Sequence, residues 1–552
     1  MQLVYFIVMV GILVFVHELG HFAWAKVFGV QVLRVSLGFG PRIAGFRRGE
    51  TEYVVSALPL GGYVRMLGEN PLDEIRPQDT DRSFAHQSLL RRIVIVVAGP
   101  AMNLVFPVLL YFIVFLGDTD QTPASVGIVL PDRPADGLLE PGDRIVAVDG
   151  EEIATFYEMS EVVGRNPDRS LKFVVEREGE RFETAITPVR AVEDHPLDVS
   201  RHVGRIGVMP QHPLAVIGVT SPGSPAAKAG LRTFDVVVAA SGKPVERFID
   251  LERVLRHNRG TMVPLTYLRP QRITRALGGL ADLEVLEPRV AALTPAPGGG
   301  SGLTRAGIEL ADLYVSDVAK GSPEHRIGLL PGDRLLELDG EPVRLWSTFF
   351  ERLGKSSSHT LRYRRGDEVF TRTYTLAHER GVTEHGQLID RNIVGIRNWM
   401  PTHVDASVPN PRPVTYAVRE AWRATAEVVE LTLVSMVRLF QGRLTVKSLG
   451  GPLTIFEVAD SAAREGPLNY LTLMAFISIN LGLINLLPIP LLDGGHMAFF
   501  LIEAVMRRPL SLRAREIAHT AGFILLVAVM VLAFMNDLER QWPRIIEQIG
   551  SR

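Results

Sequence analysis

Cysteine is absent from all 552 residues. Disulfides and thiolate zinc sites are therefore excluded, and any bound metal has to be held by histidines and carboxylates. Net charge is almost absent as well. The 59 Lys and Arg offset 61 Asp and Glu to leave −2, which argues against a nucleic-acid partner, since such a protein usually shows a basic face. The residues before the first apolar run, Met1-Gln2-Leu3, carry no basic side chain, whereas a secretory signal usually does. What the chain has in quantity is apolar surface. Hydrophobic residues make up 47% and mean hydropathy is +0.16, high for a soluble chain with 50 Gly and 36 Pro. They gather near both ends, while the middle is charged and punctuated by turns. A chain this long should hold several modules.

About 20 apolar residues in a helix cross the hydrocarbon layer, and four stretches qualify. Residues 1–28 are the first, Val4 to Val16 continuing to Val27-Phe28. Ala23-Trp24-Ala25 fits a signal-cleavage pattern, but two His and a Glu interrupt the run and argue against that reading. Residues 93–116 are the second. They hold Ala98-Gly99-Pro100-Ala101-Met102-Asn103, small residues and a Pro that let another helix approach closely. The third, 469–506, is too long for one straight crossing, and Pro488 and Pro490 break it. Unwound backbone at that depth needs cover from protein or a cavity. Residues 516–536 are the fourth, and 537–552 form a tail. Basic residues between spans one and two (Lys26 to Arg92) and between three and four (Arg507 to Arg515) predict that both loops are cytoplasmic. The long middle then lies outside.

That middle repeats itself. Leu139-Glu140-Pro141-Gly142-Asp143-Arg144 returns as Leu330-Pro331-Gly332-Asp333-Arg334, and Gly223-Ser224-Pro225 as Gly321-Ser322-Pro323. A short helix, a glycine turn, an alternating strand and an Asp-Gly or Ser-Gly hairpin resemble the PDZ fold three times, at 122–190, 201–275 and 309–400. The second copy departs from the pattern, with Thr233-Phe234-Asp235 in place of Pro-Gly-Asp. A linker is expected over 276–308. Residues 411–468 should supply amphipathic helices outside the membrane. Among them, 414–440 carries too many charges for a span and is expected to lie along the outer membrane face.

The chemistry concentrates in His17-Glu18-Leu19-Gly20-His21. Helical i and i+4 positions share a face, so His17 and His21 can grip one metal while Glu18 serves as general base on its water. Ionisable groups inside a span are costly and usually mark function. A core-histidine role would need partners for two imidazoles and a carboxylate in lipid. A proton relay would not require this spacing. Two histidines leave a tetrahedral site short of one protein ligand. Asp493, after the Pro488-Ile489-Pro490 break, and His496 compete for that position. Asn480 and Asn485 in the same span suit interhelical hydrogen bonds or a hold on the scissile carbonyl and its oxyanion. Peptide bonds inside a helix are shielded, so a protease here needs an extended substrate. Residues 29–92 contain Tyr53, Val54 and Val55, then Gly61, Gly62 and Tyr63, two apolar strands around a turn whose edge could pair with such a strand.

Taken together, His-Glu-x-x-His in a first span and Asn480-x4-Asn485-x2-Pro488-x-Pro490-x2-Asp493-Gly494 in a later one resemble the site-2 protease family. The PDZ insertion is similar to its bacterial, RseP-like branch of M50-type intramembrane zinc metalloproteases, the regulators of sigma-E. That branch commonly has two PDZ copies, not three. The resemblance implies a membrane α-helical fold of four transmembrane helices with a membrane-reentrant β-hairpin, plus extracytoplasmic α+β PDZ-like domains. It also implies one Zn2+ per chain on His17, His21 and Asp493, with Glu18 as base. The implied setting is the bacterial inner membrane, with the active site towards the cytoplasm. Implied substrates are single-pass membrane proteins with trimmed ectodomains, such as an anti-sigma factor, or remnant signal peptides. Protein or peptide ligands of the PDZ-like copies are a further implied class of partner. A membrane-anchored PDZ adaptor with an inactive metal site is the alternative. Keeping all four site residues distinguishes the enzyme from it.

Overall fold

The computed structural model describes residues 2–69, 75–118, 120–195, 199–275, 281–354, 356–382, 388–442, 450–508 and 510–550. Two compact units result. Among the described residues, one joins 2–118 to 412–550, and the other holds 120–381 and 388–411.

Among the described residues, the first unit contains four helices long and apolar enough to cross a membrane. These are α1 (Gln2–Val27), α2 (Leu89–Leu116), and, after α3 (Pro413–Phe440) and α4 (Pro452–Glu465), α5 (Pro467–Asn485) and the first part of a helix continuing to Gly550. The expected third span is split as its prolines require, into α5 and α6 (Asp493–Met506), and the last helix is α7 (Leu512–Gly550). Helix α2 starts four residues before the expected Ile93 and takes Arg91 and Arg92 into its first turns. On α1, Val4, Val8, Ile12, Phe15 and Leu19 are exposed, while Met9, Leu13, Val16, His17, Gly20 and His21 are buried. A largely apolar helix thus has one exposed apolar face suited to lipid and another packed on its neighbours.

Helix α3 differs from expectation. It packs lengthwise on α2, with Tyr416 against Phe115 and Val429 beside Leu104. Ala417 and Ala421 are fully buried. Small residues on one face let a charged helix lie against a span, which a count of its charges alone does not reveal.

Between α1 and α2, two long strands, β1 (Val32–Arg48) and β2 (Thr51–Met66), pair as one irregular sheet. Both bend, at Gly38 and Gly40 (φ 90°) and at Gly61 (φ 101°), a conformation that glycine adopts without a Cβ clash. The bends make four short runs. Val35 pairs with both Tyr53 and Val64, and Tyr53 pairs with both Val35 and Phe46. The run from Tyr53 to Val55 is therefore interior and saturated, which corrects half of the expected substrate-pairing segment. The run from Gly62 to Met66 is paired on one side only, to Leu37 through Val32.

The second unit consists of three PDZ-like modules with one strand order. Their four-stranded sheets run Glu151–Glu152, Arg144–Val148, Leu171–Arg177, Glu180–Ile186; then Lys243–Pro244, Val236–Ala240, Val263–Arg275, Ala281–Leu293; then Glu341–Pro342, Arg334–Leu338, Ser358–Arg365, Glu368–Thr375. Each has its own core, centred on Phe173, Leu251 and Phe349. Module boundaries differ from those expected. Ala281–Leu293 is the outer strand of the second sheet rather than linker, and each module closes with a strand supplied after its sheet. Ile128–Val129 pairs with Val208–Met209, Ile217–Val219 with Ile308–Leu310, and Asp317–Val318 with Ile396–Arg397. Closing strands of two or three residues are too short to show a period.

One ion pair on a buried aspartate recurs in all three. Asp143, Asp235 and Asp333 accept two-pronged hydrogen bonds at 2.7–2.8 Å from Arg177, Arg269 and Arg365. The second copy therefore keeps the aspartate's partner although it lacks Pro-Gly before it. Hydrogen bonding to Asp235 holds the Arg269 guanidinium above its ordinary pKa. Arg269→Leu would strand a buried carboxylate, at a cost of about 3–5 kcal/mol. In urea, the full chain should then become protease-sensitive between residues 211 and 310 before the other modules open. Unchanged protection there would contradict the assignment.

Candidate metal centre

Helix α1 carries His17 and His21 one turn apart on its buried face, and close helix packing holds them in place. A Cβ on Gly20 would lie 2.2 Å from the Ala98 carbonyl oxygen, and one on Gly99 2.2 Å from His21 Nε2. Only glycines allow α1 and α2 this approach. The third residue arrives from the broken span. Leu491 has φ 105°, a strained backbone for a bulky side chain, and such strain gathers at functional sites. The loop before α6 folds back on that helix's first turn. A Cβ on Gly494 would meet the Leu487 carbonyl at 2.2 Å, and one on Gly495 the Ile489 carbonyl at 2.4 Å. Gly522 of α7 presses on the Pro490 carbonyl from the other side. The Asp-Gly-Gly sequence is thus the one that lets Asp493 start α6 beneath its own loop.

These elements bring three ligands together. His17 Nε2 lies 3.1 Å from Asp493 Oδ2, His21 Nε2 3.6 Å from Asp493 Oδ1, and the two Nε2 atoms 3.2 Å apart. Tetrahedral zinc with bonds of about 2.0–2.1 Å needs ligand atoms about 3.3 Å apart. The donor set fits in spacing and in type. Among the described residues, this is the one group of three such ligands.

The far ring nitrogens are also held. His21 Nδ1 lies 2.9 Å from the Ile95 carbonyl oxygen, which accepts its proton. His17 Nδ1 lies 3.3 Å from the Asn103 side-chain amide, and the other end of that fully buried amide has no partner. A His17 that offers Nε2 to a metal must carry its proton on Nδ1, so Asn103 must turn its oxygen towards the ring. A partner on the far nitrogen in this way fixes tautomer and ring orientation. Sequence reasoning missed Asn103, although an amide inside an apolar span was a visible signal. Asn103→Ala should weaken metal affinity about 10–100-fold, measured by chelator competition; unchanged affinity would remove its role.

The ligands open onto a cavity of about 1100 Å³. Glu18, Val64, Asn485 and His496 also line it. The backbone of Val64 lies within hydrogen-bonding reach of the Glu18 carboxylate, and a Cβ on Gly62 would sit 3.3 Å from Glu18 Cγ. The half-paired run Gly62–Met66 therefore passes directly beside the candidate base. Asn485 and Tyr63 reach the cavity, but Asn480 does not line it. Its amide donates to the Phe476 carbonyl and accepts from Thr432 on α3, the latter an interhelical hydrogen bond. His496 lines the cavity but stands outside the three-ligand group.

The pattern of peptidase family M50 matches residues 5–529. The chain belongs to peptidase family M50. Like the members it resembles, it is a zinc metalloprotease of the site-2 type and a multi-pass membrane protein. A Neisseria meningitidis protein that bears the name "Putative zinc metalloprotease" is 29% identical over 97% of this chain and 98% of its own length. The regulator of sigma-E protease RseP of Escherichia coli is 28% identical over the same shares of both chains. The PDZ domain of an SdrC-like protein from Listeria innocua is 22% identical, over 16% of this M50 peptidase and 91% of that domain, at a TM-score of 0.13.

Proposed function

We propose that this M50 peptidase hydrolyses a peptide bond within transmembrane segments of single-pass membrane proteins already trimmed outside the membrane. Anti-sigma factors, to judge by the function its RseP relative is named for, and remnant signal peptides are the substrates in view. The observation that carries the reading is the convergence of three zinc-spaced ligands, Glu18 and a half-paired strand on one cavity among spans. His17, His21 and Asp493 hold one Zn2+, which when bound lowers the pKa of a water to about 7 and polarises a carbonyl.

Glu18 accepts the proton of the attacking water and returns it to the leaving amide nitrogen, the general-base and general-acid role. The substrate, unwound, adds as a strand along Gly62–Met66 and so brings an exposed peptide bond past Glu18. Asn485 faces the same cavity and donates to the scissile carbonyl oxygen. The basic residues of the loops support an orientation with the cavity towards the cytoplasm and the PDZ-like modules outside, where they would tether partners or exclude bulky ectodomains.

Co-expression with tagged single-pass proteins, carrying either trimmed or intact outer domains, tests the proposal. The full chain should cut only the trimmed forms, and a chain lacking residues 122–400 should cut both. Failure of the full chain to cut any tagged segment would sink the reading; unchanged selectivity after the deletion would remove the modules' role in it.

A further inference from the structure

We propose that His496 and His519 form a second, weaker divalent-cation site in the cavity that leads to the three-ligand centre, where an incoming ion is staged before transfer. The catalytic role uses neither residue. His496 lies one turn beyond Asp493 on α6, and α7 supplies His519; both line the same cavity. Their ring centroids are 5.7 Å apart at 53°, against 4.8 Å at 81° for His17 and His21. Two imidazoles sharing a metal at about 2.0–2.1 Å place their centroids about 5–6 Å apart. The ring spacing is therefore that of two imidazoles sharing one ion.

Two further features support it. The Phe499 ring meets both imidazoles edge to face, at 6.4 Å and 5.6 Å, which limits their rotation. Glu516, one turn before His519 on α7, lines the same cavity; it does not stand at ligand spacing to the two rings and joins an ion there only by a rotation of its side chain. Nitrogen and oxygen donors completed by water suit Zn2+ or Co2+ over harder ions. Two histidines and an exposed carboxylate bind more weakly than a closed three-ligand set, as a staging site must, since it has to release the ion. The staging role rests on the three-ligand centre being the destination; the second site itself does not.

The full chain in detergent, stripped of metal and titrated with Co2+, tests the proposal. Wild type should take up two ions, one tight and one weak. His519→Ala should take up one tight ion, captured severalfold more slowly. The chain has no native cysteine, so in His519→Cys the weak ion alone should acquire a cobalt–thiolate charge-transfer band, and a further His496→Ala change should abolish it. Equal stoichiometry and capture rate in wild type and His519→Ala, with no thiolate band in His519→Cys, overturns the proposal. Asp493→Asn separates the two sites: it should lose the tight ion and keep the weak one. If it keeps the tight ion, the three-ligand reading fails instead.

Discussion

Glu18→Gln protein should keep its zinc and lose peptide-bond hydrolysis by about 10²–10⁴-fold, the range a positioned general base contributes. Asp493→Asn should fail differently, losing both metal and activity. The two carboxylates lie on one cavity but stand differently towards the imidazoles. Asp493 sits 3.1 and 3.6 Å from the two imidazoles, at ligand spacing, and its replacement leaves two histidines for an ion that needs at least three protein ligands. Glu18 is outside the ligand group and beside the Val64 backbone, where glutamine fills the same volume without a basic oxygen. Zinc content by elemental analysis and cleavage of a tagged substrate read the two effects. Metal loss in Glu18→Gln, or metal retained by Asp493→Asn, would reverse the roles.

Gly99→Ala is expected to be nearly as damaging, against the direction that helix propensity gives. Alanine in a helix is normally favoured over glycine by about 0.8–1 kcal/mol. At Gly99 the added methyl would lie 2.2 Å from His21 Nε2 and 2.5 Å from its Cε1. The ring cannot swing away freely, because its Nδ1 is bonded to the Ile95 carbonyl and α1 is pressed on Ala98 at Gly20. Displacing a ligand nitrogen costs at least what losing its support costs, so metal affinity should fall by more than about 10–100-fold. Gly11→Ala is the control. It lies on α1, where an added methyl would meet nothing within 4 Å, and there the ordinary propensity gain should appear as a small rise in melting temperature. A Gly99→Ala protein that binds zinc as wild type does would show that the helices part easily.

Some of this was local enough to read along the chain. His17 and His21 fall on one face because a helix repeats every 3.6 residues. The break before Asp493 follows from two prolines, and the repeated Asp with its turn marks three modules. Each of these signals is complete within a few residues. Facing direction is not. Asn480 and Asn485 are equally polar in the sequence, yet packing turns one towards Thr432 and the other into the cavity. Tyr53 and Tyr63 occupy similar apolar strands, but only pairing partners contributed by β1 decide that the first is interior and the second lies on an edge. Helix α3 looks like a surface helix until its alanines are seen against α2. Asp493, not His496, stands at ligand spacing to His17 and His21, where the loop refolds over Gly494 and Gly495. The sequence by itself determined which chemistry is available, because residue type and spacing are local. The tertiary structure decided which groups meet, because His17, Asn103 and Asp493 come from distant parts of the chain and converge only when the spans pack.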